Sequence, residues 1–370
     1  MSHKELSSVS SGILPRIVID ARKLCDGGIG VYTQNTINAL VSSGLFRVAL
    51  IVSTKVLKQR SELFKDWPNV EIIENNSKKY SFSEYFLMPY KLKEKLENSI
   101  LHFPHYTVPY FLPKTSKITC TIHDCIHLKS KNPFKRIFSR FSISHAIKKS
   151  DLICTVSNYS KNQIESNFDL SNKKLEKISN YIQPALEGVS KDKAHSSKND
   201  YYLCVSSDLK HKGLSLLLEA WRELGSSSDL IILGSALKSS QSSVTFKKNC
   251  SSEELKKLYR NAKALLVPSL EEGFCIPALE ALKIGIPVVA YALPCLVENF
   301  SDAIWYADKF SHKAFSSAIM EMDKDKENRE RRVKLGKEIA KNFNKSSFDY
   351  QIIDIFKEIS NLEVRKVKVA

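Results

Sequence analysis

A chain of 370 residues exceeds one ordinary domain core of about 100–200 residues, so its length predicts two domains and excludes a small binding module. Its 43% hydrophobic, 9% aromatic and 26% charged residues, with 12 Gly and 12 Pro, are typical of globular proteins and exclude collagen-like and low-complexity chains. The formal net charge of +16 favours an anionic partner, such as nucleic acid, an acidic membrane face or a phosphorylated substrate.

Strands and helices alternate through the first half of the sequence. Residues 1–15 are polar and rich in serine, which predicts a disordered tail, and the apolar run from Arg16 to Asp20 predicts the first strand. A glycine turn with Gly28 and Gly30 follows, and helical periodicity begins after it. The other predicted elements of this half are strands at 48–52, 118–122 and 152–156 and helices at 31–40 and 134–147. Such alternation predicts a parallel sheet covered by helices on both faces.

The alternation restarts after a polar stretch over 186–200, whose serines and lysines predict a linker. The predicted elements beyond it are strands at 201–205, 230–233, 264–268 and 287–290 and helices at 215–224, 252–261, 277–284 and 346–359. We therefore predict an N-terminal α/β domain over 16–190 and a C-terminal one over 200–345, each with its own sheet. The last helix and a basic tail make up 346–370.

Cysteine spacing and hydropathy indicate the compartment. The eight cysteines are scattered with no CxxC pair, which predicts reduced thiols in a cytoplasmic protein. No apolar run approaches the roughly 18 residues of a spanning helix, and the N-terminus lacks the apolar core of a secretion signal. Any contact with a membrane is therefore expected to be peripheral.

The most informative segment is 268–289, which reads PSLEEGFCIPALEALKIGIPVV. A strand is predicted to end at Pro268, and Pro277 and Gly285 suit the start and the end of a helix. The helix N-terminus then points out of the carboxyl edge of a parallel sheet, where its free amides suit a phosphate. Glu272 lies just before these amides, and Glu280 is predicted in the first helical turn. Taken alone, the two glutamates fit a purely structural interpretation equally well. In it, Glu272 is a loop carboxylate and Glu280 interacts with the helix dipole.

The string EGFCIPALEALKIGIPVV resembles the glutamate–seven–glutamate signature of the retaining family-4 glycosyltransferases (glycosyl transferases group 1), with Cys275 where glycine is most usual. The resemblance extends over about residues 16–300. It implies an α/β chain with the GT-B fold, in which two Rossmann-like, doubly wound domains face each other across a cleft and the last helix returns to the N-terminal domain. It also implies a retaining transfer of a hexose-type sugar from a UDP- or GDP-sugar, with no metal ion and no cofactor besides this co-substrate.

The resemblance assigns donor contacts in the C-terminal domain. Lys212 lies in a segment similar to the family's basic loop, so it is expected to bind the donor diphosphate, while Glu280 faces the ribose hydroxyls. The other interpretation of the Lys212 loop is an exposed basic loop without a ligand. The resemblance also implies donor contacts from the base-binding loop and the signature loop, at Thr245, Phe246, Gly273, Phe274 and Cys275.

Acceptor-side residues come from the N-terminal domain. The segment TIHDCIH at 121–127 resembles the family's TxHD element, so His123 is expected to contact the donor sugar and, with Glu272, to form the catalytic pair. Asp124 would orient this loop. Three further residues resemble positions along the cleft: His105 as a lining residue, and Gly28 and Gly30 as sites of close backbone approach to the donor. Ser157, in a TxSxxS segment, is a predicted helix N-cap first and a ligand second.

Two segments of the N-terminal half allow other interpretations. Cys120, His123, Cys125 and His127 are metal-binding residue types, but alternation along an extended segment splits them between faces and their spacing matches no zinc pattern. No metal site is therefore predicted. Residues 131–149 combine phenylalanines with lysines and arginines, which suits docking on an anionic membrane. The favoured interpretation is an amphipathic helix whose apolar face joins the core.

The expected partners are a nucleotide-sugar and a glycan or lipid-linked acceptor in envelope polysaccharide or glycolipid synthesis, on the cytoplasmic side and alternatively at the inner membrane face. A GT-B sugar-nucleotide epimerase or phosphorylase is the first alternative function. A basic nucleic-acid-binding protein is a distant alternative, because no recognised nucleic-acid-binding motif is present and no nucleic-acid partner is expected.

Overall fold

The computed structural model describes residues 14–191, 201–225, 228–237 and 241–361. Three predicted segments lie largely or wholly outside them. These are the N-terminal tail, of which 1–13 are not described, the linker residues 192–200 and the basic tail after residue 361.

The N-terminal domain is built on a sheet of seven parallel strands in the order β3-β2-β1-β4-β5-β6-β7. The strands are β1 Arg16–Asp20, β2 Arg47–Val52, β3 Glu71–Glu74, β4 Ile100–Phe103, β5 Lys117–Thr121, β6 Leu152–Thr155 and β7 Lys174–Lys177. Ile17 and Ile19 pack into one core cluster, whereas Val18 between them packs into another. Both faces of the sheet are therefore covered, as its continuous apolar strands require.

The C-terminal domain has a second parallel sheet, with six strands in the order β10-β9-β8-β11-β12-β13. Its strands are β8 Tyr201–Val205, β9 Asp229–Leu233, β10 Val244–Lys247, β11 Ala262–Val267, β12 Val288–Tyr291 and β13 Trp305–Ala307. In each sheet the strand order reverses once, between β1 and β4 and between β8 and β11. Ligands bind at the carboxyl edge beside such a reversal. The predicted fold class, two doubly wound α/β domains, is confirmed.

Helices connect the strands and cover the sheets. They are α1 Gly27–Ser43, α2 Thr54–Gln59, α3 Ser61–Lys65, α4 Met88–Lys91, α5 Lys93–Leu96, α6 Pro133–Lys149, α7 Asn158–Asn167, α8 Leu214–Leu224, α9 Ser252–Asn261, α10 Ile276–Ile284, α11 Pro294–Phe300, α12 His312–Lys324, α13 Lys326–Lys341 and α14 Lys345–Ser360. Serine side chains cap α7 and α9, through Ser157 and Ser251, and accept hydrogen bonds from backbone amides of the first turns.

The last helix, α14, packs against α1 of the N-terminal domain. The ring of Phe348 meets that of Tyr32 edge to face, with 5.9 Å between centroids. Towards the other end of α14, Glu358 forms an ion pair with Lys174 of β7, at 2.6 Å. The chain therefore crosses from the second sheet back to the first before it ends.

Helix α1 differs from its prediction. It begins at Gly27, so Gly28 and Gly30 lie in its first turn and not in a turn that precedes it. The prediction failed because glycine is a poor helix former and masks the periodicity. The backbone packing explains one of the glycines: a Cβ on Gly30 would lie 2.4 Å from the carbonyl oxygen of Leu24.

Helix α6 overturns the favoured interpretation of residues 131–149. The apolar side chains expected in the core are exposed, namely those of Phe134, Ile137, Phe138 and Phe141. The buried face is formed by Ser139, Ser142, Ile143, Ala146 and Ile147. Serines occupy part of this face because the helix lies against tyrosine hydroxyls there, and the hydroxyls of Ser142 and Tyr85 hydrogen-bond at 3.2 Å.

Candidate active site

The candidate site lies between the two sheets, where the signature loop meets the loop after β5. A Cβ on Gly273 would lie 2.3 Å from the carbonyl oxygen of His123 and 3.2 Å from Cβ of Asp124. Ser157 donates its hydroxyl hydrogen to the carbonyl of Gly273 at 2.6 Å, and Ser160 donates to the carbonyl of His123 at 2.8 Å. Glycine is required at 273 because the two backbones touch there, and the domains are in direct contact around it.

Two helix N-termini approach each other at the same place. A Cβ on Gly28, in the first turn of α1, would lie 3.7 Å from Cδ1 of Ile276, the first residue of α10. Residue Cys275, which caps α10, has a left-handed backbone with φ of 76°. The first backbone amides of a helix have no partner within it, and its N-terminus carries partial positive charge. The arrangement therefore suits an anion held between the domains.

A partly buried ion pair lies close to Cys275, the N-cap of α10. Nζ of Lys212 lies 2.6 Å from Oε1 of Glu272. Burial acts to lower the pKa of Lys212, but the neighbouring carboxylate outweighs it and the pKa is raised, so the side chain remains a cation. The Lys212 loop is joined to the signature loop, because Leu270 donates its amide hydrogen to the carbonyl of His211 and a Cβ on Gly213 would lie 2.0 Å from the carbonyl of Pro268.

Glu280 lies elsewhere than predicted. It is the fifth residue of α10 and falls in the second turn, not the first, because the helix begins at Ile276. Its carboxylate is buried, accepting hydrogen bonds from the Tyr259 hydroxyl at 2.6 Å and from Nε2 and the backbone amide of Gln183 at 3.0 and 3.3 Å. Burial raises the pKa of Glu280 to about 7, against the effect of these hydrogen bonds. Because Glu280 lies beyond the first turn, its carboxylate does not offset the partial positive charge at the N-terminus of α10. Its contact with a ribose stays a prediction.

The N-terminal side of the cleft is lined by neutral histidines. Nε2–H of His123 donates to the carbonyl of Pro104 at 3.0 Å, and burial lowers the pKa of His123 to about 4. His105 is buried beside Tyr80 and Tyr106, and burial lowers its pKa well below the ordinary value. Both imidazoles are therefore uncharged near neutral pH and act as hydrogen-bonding groups.

Asp124 holds the loop that carries His123. Its Oδ1 accepts a hydrogen bond from the amide of Ile126 at 3.0 Å, which fixes the turn after β5. Burial raises the pKa of Asp124. The candidate metal ligands of this segment separate, since Cys120 is buried in β5 and His127 is exposed. In the part of the chain that the structure describes, no three His, Cys, Asp or Glu side chains gather as a metal site would require.

Two family models match the chain on either side of the cleft. The model described as Glycosyltransferase Family 4 matches residues 26–186, and the one described as Glycosyl transferases group 1 matches residues 188–339. Together the two models match most of the chain, which therefore carries the two domains of a glycosyltransferase. The two matches adjoin near the linker, and together they contain Lys212, Glu272, His105 and His123.

Curated relatives of the glycosyltransferase include the O-antigen chain mannosyltransferase RfbU of Salmonella typhimurium, 26% identical over 232 residues. That match covers 59% of this chain and 63% of the relative, less than two thirds of its length. The uncharacterized glycosyltransferase MJ1178 of Methanocaldococcus jannaschii is 25% identical over 358 residues, which cover 90% of this chain and 95% of the relative.

A solved structure shares the fold of the glycosyltransferase. The Anabaena protein Alr3699/HepE, crystallised in complex with UDP-glucose, superposes with a TM-score of 0.73 at 14% identity. The superposition covers 93% of this chain and 99% of that one. Together with the two parallel sheets, it shows the GT-B fold.

Some assigned residues of the glycosyltransferase lie away from the ion pair. Thr245 and Phe246 belong to β10, an edge strand separated from β11 by β9 and β8. The side chain of Phe274 is buried against the rings of Phe300 and Phe343. Any donor contact from Phe274 therefore involves its backbone, and the assignments of Thr245 and Phe246 stay predictions.

The structure also reveals site residues that the sequence did not indicate. Arg22 pairs with buried Asp20 and Glu84, at 2.6 and 2.8 Å. Lys23 is buried, and its Nζ lies 4.2 Å above the ring of Tyr80. The sequence hint for these residues was the charged run after β1. It could not indicate Glu84, the partner of Arg22, because Glu84 is more than 60 residues away along the chain. Only the folded chain brings these groups together.

Two further contacts connect the domains of the glycosyltransferase. The carboxylate of Glu298, in α11, accepts hydrogen bonds from the amides of Asn158 and Tyr159 at 2.8 and 2.7 Å and so caps α7 across the interface. Lys129 forms an ion pair with Glu271 at 3.2 Å.

In the described part of the chain, no helix combines the length and apolar character that a bilayer-spanning segment needs.

Proposed function

We propose that this glycosyltransferase moves a hexose-type sugar from a UDP- or GDP-sugar to a glycan or lipid-linked acceptor of an envelope polysaccharide or glycolipid, with retention of configuration. The supporting observation is the Lys212–Glu272 pair, which lies close to Cys275 at the N-terminus of α10, and that N-terminus adjoins the first turn of α1. The name of the Salmonella relative, an O-antigen chain mannosyltransferase, favours mannose as the first sugar to test.

The leaving diphosphate is the group that these charges suit. As the anomeric C–O bond breaks, negative charge develops on the departing phosphate. The amides of two helix N-termini and the Lys212 ammonium are fixed donors and a cation in position to stabilise that charge. We propose that this electrostatic support replaces a divalent ion, so that the reaction is metal-independent.

Lys212 and Glu272 neutralise each other in this structure, and donor binding is proposed to separate their roles. A diphosphate next to Lys212 attracts the ammonium, which frees the Glu272 carboxylate for hydroxyls of the sugar. His123 contributes a neutral imidazole to the same sugar. The acceptor hydroxyl then bonds to the anomeric carbon from the face that the diphosphate leaves, and its proton passes to the departing phosphate oxygen.

Thermal unfolding with nucleotides tests the donor site. UDP, GDP, ADP and CMP are added at about 1 mM, since a ligand at about 100 times its dissociation constant adds about 2.7 kcal/mol to the free energy of unfolding. We expect UDP or GDP to raise the melting temperature of the parent and not of Lys212→Ala. Lys256→Ala is the matched control, because Lys256 also pairs with a glutamate at 2.6 Å, on the surface of the same domain.

Thermal unfolding and an analysis of reaction products together distinguish the alternatives. If no nucleotide stabilises the parent, the donor site is wrongly assigned. If a nucleotide-sugar is converted to another nucleotide-sugar without an acceptor, the chain is an epimerase, and if conversion requires inorganic phosphate, it is a phosphorylase. Transfer to an added glycan acceptor supports the proposal.

A further inference from the structure

The inference concerns an exposed apolar stripe on α6. Phe134, Ile137, Phe138 and Phe141 follow the i, i+3, i+4, i+7 spacing of one helix face. Their exposed fractions are 83%, 55%, 42% and 69%. Such a stripe ordinarily packs into the core of a globular protein. Here the opposite face packs inward, and among the described residues only Phe138 of the four has a ring contact, with Tyr85.

A second aromatic group extends the stripe. Phe82 and Phe111 are 67% and 66% exposed, and the ring of Phe86 contacts both of them, at 4.6 and 5.8 Å between centroids. Phe86 also stacks on Tyr110, and Tyr110 stacks on His145 of α6. We call the apolar side chains of the two groups the aromatic face. Its members are the half-buried Phe86 and six exposed residues, Phe82, Phe111, Phe134, Ile137, Phe138 and Phe141.

Positive charge accompanies the aromatic face. Residues 131–149 contain six cations and no Asp or Glu. All six side chains are exposed, and they are Lys131, Lys135, Arg136, Arg140, Lys148 and Lys149. An interfacial helix of a peripheral membrane protein combines the same two features: large apolar side chains that enter the boundary between headgroups and acyl chains, and lysines or arginines that meet anionic headgroups.

We propose that the aromatic face docks on an anionic lipid bilayer, with Phe134, Ile137 and Phe141 inserted at the headgroup boundary and the α6 cations against the lipid headgroups. Two further points favour a bilayer over a protein partner. The apolar side chains project from the convex surface of a helix and do not line a groove. Because residues 131–149 contain six cations and no acidic residue, a protein partner would have to be uniformly acidic there. The proposal does not depend on the donor chemistry of the proposed function.

The position of α6 gives docking a consequence for the cleft. Helix α6 follows the His123 loop after one short turn, Ile126–Lys129, which packs against it. Tyr85, which contacts Phe138 of the aromatic face, is adjacent in sequence to Glu84, the partner of Arg22. A docked aromatic face therefore holds the acceptor side of the cleft close to the bilayer surface, where a lipid-linked acceptor would be presented.

Sedimentation of the full chain with vesicles tests the proposal. Vesicles of phosphatidylcholine mixed with phosphatidylglycerol are compared with vesicles of phosphatidylcholine alone. We expect binding to the anionic vesicles at low salt and weaker binding at high salt. Phe134→Ser combined with Phe141→Ser should lower the partition coefficient about 100-fold, since each buried ring contributes about tenfold or more. Tyr350→Ser is the matched control, because Tyr350 is 70% exposed on α14, and it should bind like the parent.

A charge variant separates the two contributions. Lys135→Gln with Arg136→Gln should lower binding to anionic vesicles about 25-fold, about fivefold per charge, and should reduce the dependence on salt. All variants change exposed side chains, so their melting temperatures should match that of the parent.

Three results would overturn the proposal. The first is no binding of the parent to anionic vesicles at low salt. The second is an equal loss in Tyr350→Ser and the double phenylalanine variant. The third is self-association of the parent in light scattering, removed by the phenylalanine changes without any vesicle binding, which would make the aromatic face a protein interface. Nucleotide-induced stabilisation is measured without vesicles, so failure of the proposed function would be recognised separately.

Discussion

The two sides of the cleft differ in how they use charge. The C-terminal side presents an ion pair, Lys212 with Glu272, beside a helix N-terminus. The N-terminal side presents His123 and His105, both with pKa values lowered by burial, among the rings of Tyr32, Tyr80 and Tyr106. The difference fits the proposed function, in which the C-terminal side would stabilise a diphosphate that gains charge and the N-terminal side would position sugar hydroxyls and exclude water.

The largest expected effect comes from removing one group on each side. Lys212→Ala should abolish nucleotide-induced stabilisation and lower kcat/KM for transfer by about 100- to 1,000-fold, the range found when one stabilising donor is removed. His123→Ala should lower transfer to a similar extent but keep the stabilisation by free nucleotide, because His123 is proposed to contact the sugar. Calorimetry with the free nucleotide distinguishes the two variants, and loss of nucleotide affinity in both would remove the distinction between the sides.

The contact between the sides should be almost as sensitive. Gly273→Ala places a methyl group 2.3 Å from the carbonyl oxygen of His123, so the loops must separate. Misplacement of about 1 Å costs about 100-fold in rate, and we expect a fall of that size in kcat. Gly225→Ala is the control for a methyl group added in open space, since an added Cβ there meets nothing within 4 Å, although φ at Gly225 is positive (55°). It should lower stability by about 1 kcal/mol and leave kcat unchanged.

Glu280 gives a prediction about pH. Its pKa is raised from 4.5 to about 7, so between these values the folded state binds more protons than the unfolded state. The free energy of unfolding contributed by this group therefore falls as pH rises from about 4.5 to about 7. Relative to the parent, Glu280→Gln should gain up to about 3 kcal/mol across that window, because the amide still accepts from Tyr259 and does not ionise. Chemical denaturation of the parent and the variant at pH 5 and pH 8 measures this gain. A difference in free energy of unfolding that is the same at both pH values would contradict the raised pKa of Glu280.

The smallest expected effect concerns the carboxylate that caps α7 across the interface. Glu298→Ala removes hydrogen bonds to two amides and should cost about 1 kcal/mol, the usual value for a lost cap. A lower melting temperature with intact nucleotide binding is the expected result. Glu253→Ala is the control, because Glu253 lies in the first turn of α9 but is bound only by Lys256 on the surface. Equal melting temperatures for both variants would show that Glu298 does not stabilise the interface.

Periodicity predicted much of the fold. Strand β8 and helix α9 have the bounds that alternation and the helical pattern indicate, because buried strands are apolar throughout and an amphipathic helix shows its period. The start of α1 was missed because three glycines among its first four residues carry no periodic signal. The prediction of which face of α6 packs inward was also wrong. The face with the apolar stripe is exposed, and the face that contacts neighbouring tyrosines is buried.

The candidate site was predictable where a motif is contiguous. The signature and the TIHD segment indicated His123, Glu272 and Gly273, which the structure brings into one region. Contacts between distant segments could not be foreseen, such as the pairing of Arg22 with Glu84 and the cap on α7 from Glu298. The direction of a side chain could not be predicted from the sequence either: Phe274, within the signature, turns into the core.

The most direct test of the proposed function is the stereochemistry of transfer. The chain is incubated with the nucleotide-sugar whose nucleotide stabilises it and with a glycan acceptor, and NMR measures the anomeric configuration of the new linkage before any equilibration. Retention of the donor's configuration, in the presence of a chelator, is the predicted result. An inverted product, or a product formed only when a divalent ion is added, would contradict the account of diphosphate departure supported by Lys212 and the two helix N-termini.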